Sequence, residues 1–229
     1  MREPSDAPSD PSALRRYPVK RCGACAAGIA AHGLRVHGTL TIAERVLRDG
    51  EAWHGEGSLT LVAGTSGASV WRWELASQAT AALALPPGAG VRSVEKLTAQ
   101  LQTLPDSELL LRGDSVGFPA GGCAFLHRHR GPGIRCLIEG GIRIDTGGCS
   151  TSYGPGAAWY ESGPDAVFAQ AAADRPSRFI RVMILPRELL GKSSFQYVNE
   201  EDKSKPRIQQ YKILADAPIA RPAQENAIN

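Results

Sequence analysis

Glycine and proline interrupt this chain so often that few stretches remain long enough for a helix. Of its 229 residues 25 are glycine and 16 proline, and the intervals hold short runs rich in Val, Leu, Ile, Thr and Trp. Strands are predicted over residues 36–47, 58–63, 68–76, 91–101, 109–118, 123–129, 134–145, 157–161, 166–171 and 179–185. Trp71-Arg72-Trp73-Glu74-Leu75 alternates apolar with charged, as a half-buried strand does. Pro186 to Leu190 suits one helical turn. Many short strands joined by glycine-rich turns indicate a sandwich, barrel or jelly roll. Pro86-Pro87-Gly88-Ala89-Gly90 reads as a boundary between two strand-rich halves.

Charge narrows the range of partners. Lys and Arg number 26 against 23 Asp and Glu, a net +3 with no concentrated basic block, which argues against nucleic acid. No apolar stretch is long enough to span a membrane. Residues 1–20 alternate Pro, Ser, Asp and Arg and read as a disordered arm without the apolar run of a signal peptide, so a cytoplasmic protein is expected. Cys22 and Cys25 form a CxxC, but no second pair follows it, and we take them as small residues at the root of the arm. Cys123, Cys136 and Cys149 lie in strand-like segments and read as core hydrophobes.

The segment that carries chemistry runs from Gly121 through His127-Arg128-His129 to Gly140. In a strand, residues two apart share a face, so both imidazoles project together with Cα atoms roughly 6–7 Å apart. That separation lets their nitrogens reach one cation at about 2.0–2.1 Å. On regular alternation Cys123 and Phe125 share their face, while Arg128 and Arg130 take the other.

Gly121, His127, His129 and Gly140 fall at the positions of the first motif of the cupin superfamily, G-x5-H-x-H-x3-E-x6-G, and the chain resembles a cupin over about residues 91–190. The resemblance implies an all-β, cupin-type jelly-roll barrel. It makes a bicupin the best use of the length, with a degenerate cupin-like half at 21–90, the barrel with the HxH motif at 91–190 and a polar C-terminal extension at 191–229. Two departures stand out. The motif glutamate corresponds to Gly133, and no histidine follows His129, so the complete ligand set of three histidines and a glutamate is excluded. The second motif is only echoed by residues 156–168.

Glu161 is the candidate third ligand beside His127 and His129, with a hydrogen-bonded rim residue as the alternative. Two histidines and a carboxylate would suit Fe(II), Mn(II) or Zn(II). Arg135 and Arg181 stand in strongly apolar strands and point either inward, to grip a carboxylate, or outward, which is the commoner arrangement. With Trp159, Phe168 and Gln170 they make the candidate substrate-binding set. The reading is a metal-binding cupin, expected to be a metal-dependent enzyme of oxygenase, isomerase or lyase type acting on a small polar or carboxylated molecule. The alternative is a non-catalytic ligand-binding or sensor cupin with a residual metal site. The expected partners are a small molecule and a second copy of the chain in a homodimer, with no nucleic acid or membrane.

Overall fold

The computed structural model describes residues 16–18, 30–42, 44–56, 60–75, 92, 94–102 and 104–221, with the side chains of 16–18, 30–37, 56 and 60 left aside. Cys22, Cys25 and the 86–90 break lie outside the described residues, as does most of the expected arm. Among the described residues no helix is long and apolar enough to cross a membrane. The chain divides into two compact units, Met1–Glu74 with Ala84–Arg92, and Leu75–Leu83 with Ser93–Asn229.

The first unit is one antiparallel sheet. Its strands are β1 (Arg16–Pro18), β2 (Ala30–Ile42), β3 (Arg45–Leu47), β4 (Ala52–Glu56) and β5 (Thr60–Leu75), in the order β1-β5-β2-β3 with β4 also on β2. Leu40, Ile42 and Leu47 form its buried cluster, with Trp53, Leu61, Ala68 and Val70 packed against them. The separately predicted strands 58–63 and 68–76 are here one long strand.

The second unit holds two facing five-stranded sheets. The strands in chain order are β6 (Leu109–Phe118), β7 (Cys123–His129), β8 (Gly133–Glu139), β9 (Ile142–Thr146) and β10 (Cys149–Tyr153). They continue as β11 (Ala158–Glu161), β12 (Val167–Ala171), β13 (Ser177–Pro186), β14 (Phe195–Tyr197) and β15 (Gln210–Ile219). One sheet runs β10-β9-β12-β7-β14 and the other β11-β8-β13-β6-β15. Between them lies the main core, with Val116, Leu137, Trp159 and Phe179 from one sheet and Ala124, Ile144, Val167 and Ala169 from the other. Burying these apolar faces against each other is what holds the two layers together.

Of four predicted stretches, three need correction and the helical turn is met. Residues 94–96 are exposed and 97–101 alternate half-buried with exposed side chains, but no strand partner takes them up, and they stay irregular. Gly140, at φ +79°, breaks the single strand expected over 134–145 into β8 and β9. Arg187–Leu189 form a single 3-10 turn at the expected helical turn. The expected polar extension is more than that in its described residues, 191–221, because β14 completes one sheet and β15 completes the other. Charge explains the last point. Arg112 is fully buried and needs acceptors; Asp216 on β15 meets it through Nε (3.0 Å) and Nη2 (2.8 Å), and the carbonyls of Lys192 and Leu189 accept the rest.

That clasp fastens β15 to β6. Asp216→Ala would strand a buried guanidinium and is expected to cost about 3–5 kcal/mol in urea unfolding. Asp145→Ala, which breaks the exposed Arg143 pair, is expected to leave the midpoint unchanged. Equal midpoints for the two variants would contradict the clasp.

Candidate functional site: a histidine–arginine cluster between the sheets

Register alone brings four of the side chains into one row. Trp159 on β11 lies opposite Arg135 on β8, Arg135 opposite Arg181 on β13, and Arg181 opposite Asp114 on β6. Two arginines directly opposite one another repel. Each is therefore balanced on its far side. Arg181 donates Nε–H to Asp114 Oδ1 at 2.7 Å, and Arg135 Nη2 lies 2.6 Å from Glu161 Oε2. Tyr211 on β15 donates its hydroxyl to the other oxygen of Asp114 at 2.8 Å. Trp159 donates Nε1–H to Glu161 Oε1 at 2.8 Å. Both arginines thus point inward, against the expectation that they face out, because only there do Asp114 and Glu161 meet them.

His127 and His129 come from the facing sheet and are almost wholly buried, at 5% and 4% exposure. Their rings stand edge to face with centroids 5.0 Å apart. Phe195, opposite His129 on β14, stacks on His127 at 4.2 Å. The backbone of His129 donates to the carbonyl of Gly163 at 2.8 Å. At φ +106°, and with any Cβ only 2.5 Å from Gly131, that position admits only glycine.

The hydrogen bonds fix both tautomers. His127 Nδ1–H donates to the carbonyl of Phe125 at 2.7 Å. The Ser194 hydroxyl donates to Met183 Sδ, so it accepts Nδ1–H of His129 at 3.1 Å. Each ring therefore turns an unprotonated Nε2 inward. His129 Nε2 accepts a hydrogen bond from Arg181 Nη1 at 3.1 Å. Burial pushes His127 down to about 4, and burial with Arg181 and Arg135 nearby holds His129 well below the ordinary histidine value. Burial also draws Arg135 down to about 10 against the pull of Glu161. For Arg181, Asp114 and Tyr211 outweigh burial and keep the guanidinium charged.

The remaining predicted residues are dispersed. Phe168 and Gln170 take the opposite face of β12 from inward Val167, Ala169 and Ala171; Gln170 donates to the Gly121 carbonyl at 2.6 Å and Phe168 lies under Arg143. Trp159 is core, stacked on Tyr153. Cys123 and Phe125 do not share the histidine face. The register on β12 slips between Val167↔His127 and Ala169↔Ala124, so an extra residue on β7 shifts the alternation and brings Ala124 into the core instead. Asp114, Ser194, Phe195 and Tyr211 escaped the sequence reading. For Asp114 the signal was present, since it is a charged residue within an apolar strand, as Arg135 and Arg181 are.

A resident divalent metal does not fit this arrangement. Among the described residues no group of three or more His, Cys, Asp or Glu side chains is gathered to hold one. Glu161 is held by Arg135 and Trp159, and a guanidinium already sits on His129 Nε2. A side chain at Gly133, the motif-glutamate position, would put its Cβ 2.4 Å from the carbonyl oxygen of Val182.

No family model and no curated protein matches the sequence. Solved structures share its fold. A four-residue variant of the Bacillus subtilis oxalate decarboxylase aligns with a TM-score of 0.53 at 12% identity, over 79% of this chain and 70% of that one. A single-residue variant of the same enzyme gives 0.51 at 14% identity, with the same coverage. A DMSP lyase from Ruegeria pomeroyi matches at 22% identity with a TM-score of 0.29, over 34% of this chain and 39% of that one, so the chain spans about two fifths of the lyase. The oxalate decarboxylase alignments cover more of the chain than the second unit holds. The fold is an all-β, cupin-type jelly roll with a bicupin-like extent.

Neutral, buried histidines make stability depend on pH. The unfolded chain binds protons near 6.5, whereas His127 resists them until about 4. Its contribution is whole above 6.5 and lost as pH falls through 4, about 3 kcal/mol in all. Urea unfolding from pH 7 to pH 4 should show that loss, and His127→Gln should flatten the slope. An unchanged slope in the variant would refute the buried neutral state.

Proposed function

From a chain with the cupin fold, we propose that the second unit binds a small carboxylated molecule through Arg135, without requiring a metal. One observation carries the reading. Arg135 is fully buried, yet its Nε has no acceptor, and its Nη2 touches Glu161 at 2.6 Å without hydrogen-bond alignment. Nε and Nη2 form one edge of the guanidinium. Arg112 uses that same edge to hold Asp216 through both carboxylate oxygens. Nε is the unmet donor, and a planar, two-oxygen acceptor would take it together with Nη2, Glu161 yielding its place there.

The surrounding groups suit such a ligand. Nη1 of Arg135 is anchored on the carbonyl of Gly133 at 2.6 Å, which fixes the direction of the open edge. Arg181 adds a second cation from the neighbouring strand. His127 presents an unprotonated Nε2, able to accept from a hydroxyl on the ligand. Glu161, Arg181 and the histidines keep 4–8% exposure, so the cluster is sheltered from water, which strengthens each charge-assisted bond.

A metal-dependent enzyme of oxygenase, isomerase or lyase type is the second reading, favoured by the two inward Nε2 atoms. It would place Fe, Mn or Zn on His127 and His129, and it requires Arg181 to leave His129 Nε2 and Glu161 to be released from Arg135.

Calorimetric titration of chelator-treated protein with acetate, oxalate, succinate and citrate tests the first reading. At least one should bind with one-to-one stoichiometry, and Arg135→Gln should weaken it by tenfold or more. Binding that Arg135→Gln leaves intact would sink it. Carboxylate binding that appears only after iron, manganese or zinc is restored would establish the second reading instead.

A further inference from the structure

The Nε2 atom of His129 is the atom a cupin metal would need, and here it already has a cation on it. Arg181 is held there from several directions. Asp114 accepts Nε–H at 2.7 Å, His129 accepts Nη1–H at 3.1 Å, and the rings of Tyr211 and Phe179 lie 5.8 and 5.9 Å from the guanidinium carbon. Asp114 is itself fixed, because Tyr211 on β15 occupies its second oxygen at 2.8 Å. None of these partners can be left behind cheaply, since all but Tyr211 are buried.

A divalent ion on His129 Nε2 would stand at about 2.0–2.1 Å. The guanidinium nitrogen is 3.1 Å from the same atom, along the same lone pair. Both cannot occupy it, and two cations at that separation repel strongly in a water-poor site. The ring orientation is nevertheless the one that ligation requires, with each Nδ1 held by an acceptor and each Nε2 turned inward.

We propose that Arg181 is the resident cation of this site: it takes the place of a divalent metal and keeps the His127–His129 pair closed as a metal site, with Asp114 and Tyr211 as its positioning residues. The proposal rests on the reading of a barrel that works without metal, but it concerns Arg181 rather than the ligand edge of Arg135. The two therefore fail separately.

Cobalt(II) titration of chelator-treated, full-length protein, followed by visible absorption and calorimetry, tests it. The wild type should take up no stoichiometric cobalt. Arg181→Met combined with Asp114→Asn, which removes both charges without stranding either, should bind one cobalt at least tenfold more tightly. Adding His129→Ala should abolish that gain, and Arg181→Lys, which keeps the cation, should leave the site closed. Near-ultraviolet circular dichroism checks that the variants are folded. A folded double variant with no gain overturns the proposal. So does stoichiometric cobalt in the wild type that is lost in His127→Ala/His129→Ala.

Paramagnetic broadening in the wild type reads the same question without the arginine variants. Histidine ring signals unmoved by excess cobalt support the closed pair, whereas loss of both signals at one equivalent refutes it. Carboxylate binding through Arg135 is measured independently and would survive either result.

Discussion

Two like charges face each other across adjacent strands in the middle of the second unit, and much else follows from that pairing. Arg135 and Arg181 are register partners on β8 and β13. Buried side by side, they are tolerable only because a carboxylate flanks each one, Glu161 for the first and Asp114 for the second. The carboxylates are in turn held by Trp159 and Tyr211. The polar row thus extends from β11 to β15 and enlists every strand of its sheet. Removing one member leaves another charge uncompensated, which is why the row behaves as a unit.

The two histidines belong to the other sheet and meet this row across the core. Their neutrality is a consequence of where they lie. Burial and two neighbouring guanidinium groups both oppose a further positive charge. A neutral imidazole with Nδ1–H committed elsewhere is an acceptor at Nε2, and Arg181 is the donor at hand. The same scaffold that would suit metal ligation therefore also suits a hydrogen bond from a fixed cation.

The sequence made the strands legible because turn residues bracket them closely; β6 and β7 coincide with the predicted runs. The inward pairing of His127 and His129 was legible from their spacing. What alternation could not foresee was the extra residue on β7, which changes the face of Cys123 and Phe125 without changing composition. The direction of Arg135 and Arg181 was equally hidden. Their strands are apolar on both faces, so only the distant Asp114 and Glu161 decide which way they turn. Glu161 was singled out as a candidate ligand, but its nearest partner is a guanidinium, and no local pattern announces a contact between β11 and β8. Tyr211 and Asp216 lie in a stretch that reads as polar tail, and each contributes one inward group to an edge strand that is exposed over its first four residues and half-buried over the next four.

The position of β15 has a consequence for how the protein is made. It follows every other strand of the described residues in chain order, yet it carries the partner of Arg112 and the second partner of Asp114. During synthesis the strands from β6 to β14 emerge first, with those two buried charges incompletely matched. The full polar row can form only once β15 has left the ribosome and docked on β6. Until then an open sheet edge and half-paired charges are exposed together, the condition in which a nascent chain is most open to misassembly. Closure of this barrel therefore waits for β15, the last of its strands to emerge, and the cluster between its sheets is completed at the same moment.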